Sequence, residues 1–119
     1  MIKKATVVDA ACVAKLAIQM WEDNTLEGLT GDLAEIIANP ESAVFLLLDG
    51  DAAIGFAQCQ LRHDYVEGTD SSPVGYLEGI FVEESYRNKG CAKELLKQCE
   101  VWAKDMGCTE FASDCELTN

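Results

Sequence analysis

The sequence predicts a single α+β domain: a mixed, largely antiparallel sheet flanked by helices, with one parallel crossover. Three observations predict it. Two strand-like runs flank Asp49-Gly50, a dipeptide that tolerates the positive φ angles of a tight hairpin turn. From Gly90 to Met106 the residues Ala92, Leu95, Leu96, Cys99, Trp102, Ala103 and Met106 recur at three-and-four spacing, which marks a helix with one buried face. A further strand-like run, CTEFAS, follows Gly107, so strand, helix and strand succeed one another as a parallel crossover requires. At 119 residues the chain accommodates one hydrophobic core and is too short for two, so residues 1–119 are read as one domain.

The elements follow in order. IKKATV alternates well enough for a first strand, and Asp9 is placed to cap a helix whose face is Val13, Leu16, Ala17 and Met20, ending near Trp21. EDNTLEGLTG reads as loop; a second short helix is expected from an Asp32 cap, with Leu33, Ile36 and Ile37 inward and a stop at Asn39-Pro40. The hairpin comes next, then the polar loop HDYVEGTDSSP, then the strand VGYLEGIFV. Glycine inside a strand marks a bulge or a close approach, and Gly79 is the suspected bulge.

Composition excludes several classes. The chain carries 9 Lys and Arg against 21 Asp and Glu, a net charge of −12, which repels nucleic acid and favours cationic partners. No apolar run approaches the twenty or so residues of a membrane span. At the amino end Asp9, Lys15 and Gln19 interrupt any signal-peptide core, so a soluble cytoplasmic protein is expected, without membrane association. The six cysteines form no C-x-x-C pair and His63 is the one histidine, so small buried thiols in a reducing compartment are expected, and no metal site.

The chemistry concentrates where the long helix begins. RNKGCA, residues 87 to 92, offers no Asp or Ser to cap that helix, yet the first turn exposes backbone N–H groups and a positive dipole end. An anion fills such a vacancy. A phosphate or diphosphate held there would meet a close backbone at Gly90, a narrow entrance at Cys91 and Ala92, and countercharge from Arg87 and Lys89, with Asn88 between them. Taken alone, the pattern also fits an ordinary loop with two solvated basic residues. Neither G-x-x-x-x-G-K-[ST] nor G-x-G-x-x-G occurs, so nucleotide hydrolysis and dinucleotide binding lack their signatures.

In its setting between strand and helix, the turn resembles the coenzyme A site of the GNAT-type N-acetyltransferases, Arg/Gln-x-x-Gly-x-Gly/Ala, matched by Arg87, Gly90 and Ala92. The stretches YVEGTDSSPVGYLEGIFV and VWAKDMGCTEFASD are more specifically similar to the aminoglycoside 6'-N-acetyltransferases. The resemblance implies acetyl transfer from acetyl-CoA to the 6'-amino group of an aminoglycoside antibiotic, without a metal. It implies that the main chain of Ile80 and Val82 pairs with the pantetheine arm, that the Phe81 amide lies near the thioester, and that residues 87–92 hold the diphosphate. It also carries over Trp21, Tyr65, Glu78 and Asp114 as the amino-sugar pocket.

Glu78 stands out from the residues themselves, a carboxylate between Leu77 and Gly79 in an apolar strand. An amine must be neutral to attack a thioester but enters mostly protonated at neutral pH, so Glu78 is the candidate to orient it and pass on its proton, directly or through water. The same negative charge raises the amine's pKa, so binding and deprotonation oppose each other. Members of the resembled family continue past the strand of Asp114 with a helix and two strands that do not follow Asn119; the resemblance therefore implies a sheet edge covered by a partner, as in a homodimer. Two alternatives stay open: an acetyltransferase for another amine, such as a polyamine or a protein amino group, and a truncated domain that binds coenzyme A or dimerises without turnover.

Overall fold

The computed structural model describes residues 1–113. A five-stranded sheet runs in the order β1 (Ile2–Lys4), β2 (Ser42–Asp49), β3 (Ala52–Arg62), β4 (Val74–Val82) and β5 (Phe111–Ser113). The first four strands pair antiparallel; β5 lies parallel to β4, reached through the long helix α3 (Cys91–Asp105). Helices α1 (Ala10–Ala17) and α2 (Leu26–Ala38) connect β1 to β2. The expected order of strand, two helices, three strands, helix and strand is therefore the observed one.

The sheet buries both faces. Along β2, Ala43, Phe45 and Leu47 point to the side of Leu95, Cys99 and Trp102 of α3, while Val44 and Leu46 meet Val13, Leu16 and Leu33 of α1 and α2. Successive strand side chains alternate between faces, so an apolar run such as AVFLLL serves two cores at once. The hairpin turns at Asp49-Gly50 as expected, with Gly50 at φ +61°.

Three expectations shift. Helix α2 begins at Leu26, not after Asp32: Thr25 caps it by accepting from the Gly28 amide at 3.0 Å. Gly28 and Gly31 mimic loop punctuation, yet each costs a helix only about 1 kcal/mol, and burial of Leu29 and Leu33 outweighs that. Asp9 precedes α1 but does not cap it. Its carboxylate accepts from the Thr6 amide at 2.8 Å and pairs with Lys3 Nζ at 3.0 Å, closing a 3-10 turn over Val7–Asp9. Finally, α1 ends at Ala17, and single-turn hydrogen bonds carry the chain on to Trp21, whose amide donates to the Ala17 carbonyl at 2.9 Å.

Candidate active site

The bulge in β4 is displaced by one residue from its expected place. Cys59 of β3 faces Leu77 and Gln58 faces Gly79, so Glu78 is the extra residue of the bulge in the register. Gly79 has a different task. A Cβ there would lie 2.9 Å from Cζ2 of Trp21, so the missing side chain lets the indole lie on the strand beside Glu78. Trp21 also meets Phe56 edge to face, with ring centroids 6.1 Å apart, and is thus partly a packing residue.

Glu78 is clamped. Arg62, the last residue of β3, donates from Nε to Oε2 at 3.0 Å and from Nη2 to Oε1 at 3.0 Å and Oε2 at 2.9 Å. Its guanidinium carbon lies 3.7 Å from the centroid of the Tyr76 ring. Sequence reading missed Arg62. The signal existed in principle, since an arginine at the end of one hairpin-paired strand lies within reach of a carboxylate on the next, but finding it required the register and the bulge.

Past the bulge, β4 borders a cavity of about 730 Å³, lined by residues 80–82, by Gln19 and Met20 after α1, and by the turn before α3. On its β5 side, β4 pairs only at Gly75, Tyr76 and Leu77 among the described residues. Glu83 donates its amide to the Ile54 carbonyl of β3 at 2.8 Å, so the alternation of the strand turns the polar groups of Val82 to the other edge. There the Val82 carbonyl accepts from Arg87 Nε at 2.7 Å.

The start of α3 has the expected form. Gly90 is its N-cap at φ +83°, with no side-chain cap, and the first amide to find an intrahelical carbonyl is that of Glu94, 3.1 Å from the Gly90 oxygen. Asn88 shares the left-handed conformation at φ +62°. Left-handed backbone thus stands on both sides of Lys89. Arg87, Asn88, Gly90, Cys91 and Ala92 line that cavity, but Lys89 does not: its Nζ lies 5.6 Å from the Tyr86 ring centroid. Tyr86 in turn donates its hydroxyl to Asp49 at the hairpin, and this hydrogen bond raises its pKa.

Of the expected amino-sugar residues, Trp21 and Glu78 come together at the bulge. Tyr65 is 81% exposed on the loop of residues 63–73. That loop is tied to the residue before β5, where Glu110 Oε1 accepts from the Asp70 amide at 2.8 Å and from the Ser71 hydroxyl. These hydrogen bonds, the Ser71 hydroxyl first, hold the Glu110 carboxyl below the usual range. Asp114 lies outside the described residues. The described residues hold no cluster of three or more His, Cys, Asp or Glu fit for a metal ion, and no helix long and apolar enough to cross a membrane.

A helix that begins without a side-chain cap beside a cavity bordered by β4 fits an acyl-coenzyme A transferase fold, and the Acetyltransferase (GNAT) family profile matches residues 13–119. The chain belongs to the GNAT acetyltransferase family. Within it, the chain is 46% identical over 116 residues to the aminoglycoside N(6')-acetyltransferase type 1 of Stenotrophomonas maltophilia, covering 95% of this chain and 73% of that protein. It is 42% identical over 106 residues to the protein of the same name from Serratia marcescens, covering 87% and 72%. Among solved structures, aminoglycoside N-acetyltransferase AAC(6')-Iy in complex with CoA superposes with a TM-score of 0.93 at 38% identity, covering 98% of this chain and 77% of that one. The same enzyme with the bisubstrate analogue CoA-S-monomethyl-acetylneamine gives a TM-score of 0.92 at 38% identity, covering 100% and 81%.

Proposed function

We propose that this protein transfers the acetyl group of acetyl-CoA to the 6'-amino group of an aminoglycoside, and so acts in antibiotic resistance. One observation carries the reading: the uncapped start of α3, with Gly90 at φ +83°, opens onto a cavity of about 730 Å³ bordered by the same strand that bears Glu78. Bound acetyl-CoA supplies an activated acyl group. The amides at the start of α3 receive its diphosphate, with Arg87, Asn88 and Lys89 adding donors and charge. Ile80 and Val82 offer main-chain groups to the pantetheine amides, and Phe81 presents its amide near the thioester. Since Arg87 holds the Val82 carbonyl, a pantetheine amide that takes this carbonyl frees the guanidinium for the phosphates.

On the acceptor side, Trp21 provides a flat apolar wall, and Tyr65, Glu78 and Asp114 receive the sugar's hydroxyl and ammonium groups. A carboxylate 4 Å from an ammonium stabilises it by about 4 kcal/mol where the effective dielectric constant is near 20, and by about 1 kcal/mol in bulk water. In the reaction, the amine's lone pair forms the C–N bond as the thioester C–S bond breaks. The ammonium gives one proton to Glu78, directly or through water, before attack, and the second proton that nitrogen loses as the amide forms is taken up by the departing thiolate. Placing the amine beside the thioester lowers the barrier further.

The test is thiol release from acetyl-CoA by this 119-residue chain, with kanamycin, with a polyamine and with neither. Release that requires kanamycin supports the proposal. Release with the polyamine alone moves the substrate class, and the absence of release with any amine overturns the activity. The proposal extends to a cytoplasmic homodimer. The buried thiols of Cys59, Cys99 and Cys108 suit a reducing compartment, and among the described residues β5 is an edge strand that a second copy would protect. A monomer mass by sedimentation equilibrium would remove the dimer.

A further inference from the structure

We infer that Arg62 is a positioning residue for acetyl transfer that acts through Glu78: its guanidinium fixes the carboxylate and offsets its charge, so that the acceptor amine is gripped without being locked as an ammonium ion. The inference rests on the proposed role of Glu78 at the acceptor. Its observations are the three hydrogen bonds of 2.9–3.0 Å from Nε and Nη2 to both oxygens of Glu78, and the stacking of the guanidinium on Tyr76.

The geometry is specific. A fork donated to both oxygens fixes the carboxylate plane, and the Tyr76 ring below fixes the fork. The bulge takes Glu78 out of the strand's regular alternation, and the fork then holds its carboxylate against Arg62.

Charge gives the clamp its second effect. A lone carboxylate holds a bound amine in its ammonium form, which cannot attack the thioester. With a guanidinium on the same carboxylate, the amine faces an ion pair, whose field falls off faster than that of a single charge. The hydrogen bond to the amine survives, and its proton is easier to pass on through water. With the Glu78 side chain only 19% exposed, replacing Arg62 removes the fork from a largely buried carboxylate, so folding is measured beside turnover.

The experiment compares the wild-type chain with R62M, which keeps length and apolar contact with Tyr76, with R62K, and with E78Q and the double variant E78Q/R62M. Steady-state acetylation of kanamycin is measured, with acetyl-CoA affinity by calorimetry as the test of folding. The expected result is a kcat for R62M lower by about tenfold or more, with the KM for kanamycin unchanged or reduced. R62K recovers part of the loss, because it restores the charge without the fork. If Arg62 acts through Glu78, adding R62M to E78Q slows turnover by no more than about twofold.

A raised KM with unchanged kcat, or a full multiplicative loss in the double variant, overturns the inference. Wild-type turnover by E78Q would instead overturn the proposed role of Glu78, and the inference with it. Impaired E78Q beside a fully active R62M removes Arg62 alone. Should R62M fail to bind acetyl-CoA, R62Q, which keeps hydrogen bonding without the charge, is read by the same criteria.

Discussion

Glu78 shows how one inserted residue can change the use of a strand. In an unbroken antiparallel ladder, LEGIFV would alternate its side chains between two cores, and a carboxylate in that run would be costly to bury. The bulge places Glu78 outside the alternation, where Arg62 reaches it from the neighbouring strand and Trp21 lies alongside on Gly79. Glu78→Gln keeps the shape and removes the charge; it is expected to reduce kcat/KM for an aminoglycoside by about a hundredfold or more while leaving acetyl-CoA affinity within about twofold. Calorimetry with acetyl-CoA and steady-state assays would check the split, and equal losses in both would count against the assignment. The exceptional character of Glu78 was legible from its apolar neighbours. The Arg62 clamp was not, because the two residues lie sixteen positions apart in sequence.

At the scale of elements, α3 and the loop of residues 63–73 each carry a prediction. Gly90→Ala meets open space but must hold φ +83°, a conformation that costs a side-chain-bearing residue roughly 1–2 kcal/mol. If the turn relaxes to avoid that strain, its amides leave the place proposed for the diphosphate, and acetyl-CoA is expected to bind about tenfold more weakly by calorimetry. The loop is pH-dependent through Glu110. Its carboxyl is held below its ordinary value of 4.5, so the stabilising contribution is complete above that value and disappears as pH falls through the depressed folded value. Hydrogen exchange of the Asp70 amide should therefore be slow at neutral pH and become poorly protected, relative to the intrinsic rate, once the pH falls through the depressed value of Glu110, while Glu110→Gln should lose much of that protection at neutral pH. The uncapped helix start was legible from RNKGCA, since Gly90, directly before the helix, has no side chain to cap it. The start of α2 was not, because two helical glycines resemble a loop until the packing of Leu29 and Leu33 is known.

For the whole molecule, stability and function depend on the same sheet. Leu95 is fully buried between α3 and the strands, and a Cβ added at Gly55 would stand 3.5 Å from its Cδ1. Leu95→Ala is expected to destabilise the fold by about 2–5 kcal/mol, read as a lower urea midpoint with an unchanged slope. Acetyl-CoA should restore part of the loss, because a ligand that binds only the folded form stabilises it by mass action. The order of elements and the parallel crossover were legible because periodicity is local and crossovers obey few rules.

What the sequence determined by itself was the set of elements, the uncapped head of the long helix and the unusual carboxylate in β4. Each depends on residues close together in the chain, where propensity, capping and alternation act. Only the tertiary structure decided that Glu78 rather than Gly79 is the bulged residue, that Arg62 clamps it over Tyr76, that Trp21 lies on Gly79, and that Arg87 bonds the Val82 carbonyl. Strand register and side-chain direction across strands arise from packing summed over the whole sheet, and no local pattern contains that sum.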